Sequence, residues 1–296
     1  MNTFKKITFL IVAVFLTVQL SAQDALFTYY SVKSRADVST IKTNLKEKLK
    51  AEGFAYLGEY HPAGNPNTSV IVCTHKDIYG VALSGKSHKV LGCVLKFGIN
   101  KKGSVTTISL LNPEYVFYAY FRNTTKQYPK LKGVSDKAIA VLKSQGKAFS
   151  AFGGKLTKSQ LKSYHYMIGM PYFNEPVVLK EFSSHKEACE TIEKNLAAKK
   201  GNTQKVFKLK FNKSEMAIYG VALKDKAKGE AFFLPTIGPD HIAAMPYEIV
   251  VVGKKAMMLH GKYRFALLWP KLTMGQFMKI VNTPSDVETT LKGLTK

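Results

Sequence analysis

The chain has 296 residues; 46% are hydrophobic and 11% aromatic, and 44 lysines and arginines outweigh 20 aspartates and glutamates to give a formal charge of +24. That apolar content is enough to fill real cores, which excludes a disordered chain, and the length suits two domains of ordinary size. The basic excess attracts anionic partners, but Arg35, Arg122 and Arg264 are the only arginines, so the residue best suited to planar phosphate recognition is scarce.

The first element is an export signal over residues 1–22. Lys5 and Lys6 make a positive start, residues 9–18 form an apolar run, and Leu20-Ser21-Ala22 offers small residues for cleavage before Gln23. The run is shorter than the about 20 apolar residues that span a bilayer, and no later stretch is long and apolar enough to do so. The mature protein is therefore expected outside the cytoplasm, periplasmic or secreted, with no nucleic acid among its partners. No cysteine lies near the cleavage point to carry a lipid anchor. The three cysteines, Cys73, Cys93 and Cys189, are an odd number, so at least one is a free thiol or an intermolecular bridge. Cys73 and Cys93 each sit in a strand-like run, which suits either a disulfide or two buried thiols.

Beyond the leader the order of elements occurs twice. Residues 26–32 and 176–182 read as strands. Each is followed by an amphipathic helix: Val38, Ile41, Leu45 and Leu49 form one stripe, with Asp37 as N-cap and Gly53 as terminator. Ala188, Ile192, Leu196 and Ala197 form the other, ended by Gly201. The hexapeptide IYGVAL then occurs at 78–83 and again at 218–223, and reads as a strand in both places. A strand, a basic turn and a strand follow (90–99, Lys101-Lys102-Gly103, 104–111; then 245–252, Gly253-Lys254-Lys255, 256–260). Tyr115-Val116-Phe117 matches Tyr263-Arg264-Phe265. Ser135-Asp136 and Ser285-Asp286 read as the N-caps of closing helices. The expected layout is a first domain over 23–150, a linker over 151–175 that packs its aromatics, and a second domain over 176–296.

LKEKLKAEGF (45–54), the β-branched stretch 69–73, VLKFGINKKGSVTTISLLNPEYV (94–116) and AAMPYEIVVV (243–252) together resemble the bacterial family called domain of unknown function 302. The first half has Val94-Leu95-Lys96 where that family usually opens the strand with leucine-proline. The resemblance implies an α+β fold, a helix packed on an antiparallel sheet, present here as two tandem copies. It implies no activity.

Chemical motifs are few. Gly80 to Ser87 satisfies G-x-x-x-x-G-K-S, a pattern that cradles phosphate only between a strand and a helix. The flanking residues here read as strands, so it is taken as a turn. No nucleophile elbow, C-x-x-C or H-E-x-x-H is present, and Cys73 with His75 is too small a ligand set to specify a metal. A two-residue turn at Gly253-Lys254 would set Val252 opposite Lys255, Val251 opposite Ala256, Ile249 opposite Met258 and Tyr247 opposite His260. Tyr247, His260, Met258 and the nearby His241 are therefore the candidate ligand-binding residues, at the polar end of an apolar face. Met245, Met257, Met258, Met274 and Met278 with His260 also raise soft-metal chemistry, against the commoner use of methionine as core filler. The expectation is an exported binding protein for an anionic or amphipathic ligand (lipid, glycan or small hydrophobic molecule), with no cofactor and no resident metal. The alternatives are an enzyme using Tyr247 and His260 as an acid–base pair, and a protein-interaction module.

Overall fold

The computed structural model describes residues 24–122 and 127–296, so the expected leader lies outside the described residues. In the first half, β1 (Ala25–Ser34) leads into α1 (Val38–Ala51), followed by β2 (Phe54–Tyr60), β3 (Thr68–His75), α2 (Lys76–Ala82), a 3-10 segment (His88–Cys93), β4 (Leu95–Lys102) and β5 (Val105–Leu111). Helices α3 (Pro113–Phe121) and α4 (Tyr128–Lys143), strand β6 (Lys147–Thr157) and the short α5 (Lys158–Lys162) complete it. The second half runs β7 (Val177–Glu181), α6 (His185–Ala197), β8 (Thr203–Phe211), β9 (Met216–Leu223), α7 (Glu230–Ile237), a 3-10 segment (Pro239–Ala244), β10 (Tyr247–Val252) and β11 (Lys255–Met258). It closes on α8 (Gly261–Leu268), α9 (Met274–Lys279) and α10 (Thr283–Gly293).

Both sheets are antiparallel and the architecture is α+β. The first sheet has the order β2-β3-β4-β5-β1-β6, the second β7-β11-β10-β9-β8. Taken from its other edge the second is β8-β9-β10-β11-β7, which repeats the first five strands of the first sheet. Even the irregularities correspond: β2 slips register between Tyr56 and Gly58, and β8 between Lys205 and Phe207. The two edges approach so closely there that a Cβ on Gly58 would lie 2.1 Å from the Val206 carbonyl oxygen. The 3-10 segments are exchanged. Pro239–Ala244 packs against β4, and His88–Cys93 packs against β10, the reciprocal contact expected of a two-fold arrangement. Gly98 on β4 makes room for it, since a Cβ there would sit 2.9 Å from Ala243 N.

The amphipathic helices form as their stripes require. Val38, Ile41, Leu45 and Leu49 are buried along α1, and Ala188, Ile192 and Leu196 along α6, whereas Ala197, expected in the second stripe, is exposed at the last residue of the helix. Ser184 caps α6 by accepting from Glu187 N, whereas Asp37 holds the N-cap position of α1 without a side-chain cap bond and pairs with Lys101 instead. The buried side chains make one continuous cluster through both sheets.

Four expectations are corrected. The first IYGVAL is not a strand: it falls in and just after α2, whereas the second lies in β9, where every residue is buried. The hexapeptide is apolar throughout and has no alternation to fix it. In the first half the strand slot is already filled by β3, and His75 caps a helix by accepting from Asp77 N. The Gly80–Ser87 pattern therefore runs from a helix through a turn into a 3-10 segment, still not the strand–loop–helix that a phosphate loop needs. Residues 90–93 are 3-10 rather than strand. Ser135 is buried inside α4 and Ser285 sits within the first turn of α10, because both helices start earlier, each with a proline in its first turn. Residues 151–157 belong to β6, so the first sheet extends into the stretch expected to be linker.

Candidate functional site

The hairpin register is as the two-residue turn requires, with Val252 opposite Lys255, Val251 opposite Ala256 and Val250 opposite Met257. The Tyr247–His260 pairing does not follow from it. Strand β11 ends at Met258, and His260 turns away to cap α8, its Nδ1 accepting from Lys262 N at 3.3 Å. Tyr247 is buried beneath the Arg264 guanidinium, 3.8 Å above its ring, with Phe233 edge-on. Desolvation pushes its hydroxyl up to about 12. Met258 is buried in the sheet opposite Val177. His241 is held edge-on between Tyr29 and Phe152, both at 5.2 Å, and burial lowers its imidazole below the usual range. These four residues do not converge on one cavity. The methionines also part: Met245, Met257 and Met258 are buried, Met274 and Met278 exposed. Among the described residues no group of three or more His, Cys, Asp or Glu is placed to hold a metal, and all three cysteines are free and buried.

A polar cluster joins the halves. Lys96, second residue of β4, pairs with Glu248, second residue of β10, and its Nζ also donates to the carbonyls of Ala244 (3.3 Å) and Pro246 (3.2 Å). Arg264 donates to the same two carbonyls. Around them is about 20 Å3 of free volume, room for one water molecule and no ligand. A second link is Glu230, which accepts from Tyr60 Oη (2.9 Å), Ala63 N (2.9 Å) and Leu223 N (3.3 Å). Desolvation pushes its carboxyl up to about 7 despite these bonds. Both links tie the fold together rather than face solvent.

The opening suited to a ligand lies elsewhere, between the 163–176 segment and α8–α9. Met167, Met170, Phe265, Trp269, Met274 and Phe277 line an apolar pocket of about 120 Å3, with Lys262 at its rim. Local chemistry fixes its walls. Thr273 and Gln276 form a capping box that starts α9, and Phe265 packs edge-on to both Trp269 (4.8 Å) and Phe277 (5.9 Å). The segment is anchored at Tyr164, whose hydroxyl donates to the Ala266 carbonyl at 2.8 Å, and at Phe173, which lies under Arg122. Between those anchors Tyr166, Met167 and Tyr172 stay exposed and Ile168 is 99% exposed, so the aromatics of the expected linker pack at Tyr164 and Phe173 but not between them. A shallower cleft adjoins, lined by His165, Tyr172, Glu175, His260 and again Met170 and Lys262. His260 is thus the one predicted residue near an opening. Trp269 Nε1 is buried without a hydrogen-bond partner. Sequence reasoning missed the pocket because its walls come from residues about 100 apart in the chain. Two signals were available: Trp269 is the sole tryptophan, and residues 137–174 and 261–285 contain no acidic residue.

No protein-family model and no curated protein matches the chain. A solved structure of an uncharacterized conserved protein of domain of unknown function 302 from Bacillus stearothermophilus is similar to it at 14% identity with a TM-score of 0.35, over 41% of this chain and 100% of that one.

Proposed function

We propose that this is an exported binding protein, built by tandem duplication of one α+β unit, that takes the apolar end of an amphipathic anion into the pocket between residues 163–176 and α8–α9. The observation that carries the reading is that pocket: apolar walls, one lysine at the rim, and a buried tryptophan N–H with no partner. Its size sets the ligand. An apolar cavity of roughly 150 Å3 accepts benzene, so 120 Å3 suits a single ring or the end of an acyl chain. The head group, left outside, meets Lys262, and the basic excess, which stays strong after Lys5 and Lys6 leave with the leader, favours an anion there. The repeated strand order, the matching bulges and the exchanged 3-10 segments support the duplication. The three-part leader supports export.

Calorimetric titration with decanoate tests the binding. Wild type is expected to bind one equivalent. Ala266→Phe, which fills the pocket from α8, should abolish binding, and Lys262→Glu should weaken it by about tenfold, the scale of one lost ion pair at a partly desolvated rim. Equal binding by all three proteins, or none by wild type, would contradict the reading.

A further inference from the structure

The surface around the pocket is apolar and predominantly basic. Ile168 stands at the tip of the 163–176 segment, flanked by Tyr166 and Met167, and Met274, Met278 and Val281 are exposed on and just after α9. Monomeric proteins rarely leave such a group in water without a partner. The stretches that line the pocket, residues 166–170 and 262–277, hold no aspartate or glutamate; Lys262 lines it and Lys271 and Lys279 flank its α8–α9 wall, with Glu175 the one acid in the adjoining cleft. Apolar side chains that reach into the acyl boundary, with lysines at head-group level, are the arrangement that holds a protein on an anionic bilayer. Among the described residues no helix is long and apolar enough to cross a membrane, so this contact would be peripheral.

We infer that this face docks on an anionic phospholipid surface, with Ile168 and Met278 inserted and the lysines against the head groups. The inference rests on the proposed pocket for one step only: the bilayer then becomes the source from which the amphiphile is drawn, with the pocket mouth held at the interface.

Flotation of the full chain with vesicles tests it. Binding is expected to phosphatidylcholine mixed with phosphatidylglycerol and to be weaker by at least about tenfold on phosphatidylcholine alone. It should fall similarly when salt is raised from about 0.1 M to about 1 M, where the screening length drops from about 10 Å to about 3 Å. The Ile168→Asp/Met278→Asp variant should lose at least about tenfold in vesicle binding, yet keep wild-type decanoate titration, because neither residue lines the pocket. Binding that ignores lipid charge, an unaffected double variant, or no binding to anionic vesicles would overturn the docking. Decanoate binding without vesicle binding would sink only the docking, and vesicle binding without decanoate binding would sink only the pocket.

Discussion

Glu230 offers a test of how the two halves meet. Its carboxylate comes from α7 in the second half and accepts Tyr60 Oη and Ala63 N from the first. Burial raises its ionisation from the ordinary 4.5 to about 7. The folded protein therefore favours the protonated form more than the unfolded chain does. The stability gained from that proton is complete below about pH 4.5 and is lost as pH rises through about 7. At about 1.36 kcal/mol per pH unit the whole fall is on the order of 3 kcal/mol. Glu230→Gln cannot ionise, and it keeps the shape and two of the three hydrogen bonds. Urea unfolding of both proteins between pH 4.5 and pH 7.5 measures the effect. Other titrating groups are common to both curves and cancel in the difference. The gap between variant and wild type should shift in favour of the variant by a few kcal/mol across that range. Parallel curves would mean that Glu230 ionises normally, hence that it is solvated and the halves are not packed as described.

Lys96→Ala should cost about 3 kcal/mol, because Glu248, whose side chain is only 12% exposed, is left without its partner, and the double variant Lys96→Met/Glu248→Leu should recover most of that loss; urea midpoints read both. Tyr247→Phe should change stability by less than about 1 kcal/mol, since the buried hydroxyl makes no hydrogen bond of normal geometry and lies only beside the Arg264 guanidinium. A loss above about 2 kcal/mol would show that the hydroxyl is bonded. Cys73 and Cys93, buried and with thiols pushed up by desolvation, should resist a thiol reagent in native protein and react after unfolding. Fast native labelling would contradict their burial.

How far the fold was legible depended on periodicity. The stripes of α1 and α6 and the Gly253-Lys254 turn carry their own geometry, so both helices and the hairpin register could be read residue by residue. IYGVAL carries none. Six apolar residues fill a helix or a central strand equally well, and the choice is made by β3 already occupying the slot in the first half. That is tertiary override of local sequence. The site was less legible for a related reason. The pairing of Tyr247 with His260 assumed that β11 runs on to residue 260, and α8 begins there instead. The actual pocket is lined across chain distance by residues that each look like ordinary core or linker. Only the lone Trp269 and the acid-free runs 163–174 and 261–285 hint at the two segments that meet at the pocket.

On the proposed reading an acyl end occupies the space beside Trp269. Because the chain has one tryptophan, its fluorescence reports on that pocket alone. Titration with decanoate brominated near its methyl end is the direct measurement, since bromine quenches an indole only at contact range. Saturable quenching, absent with unbrominated decanoate and absent in Ala266→Phe, is the predicted result. Binding of the brominated chain with unquenched Trp269 fluorescence would place the ligand elsewhere and refute occupancy of this pocket.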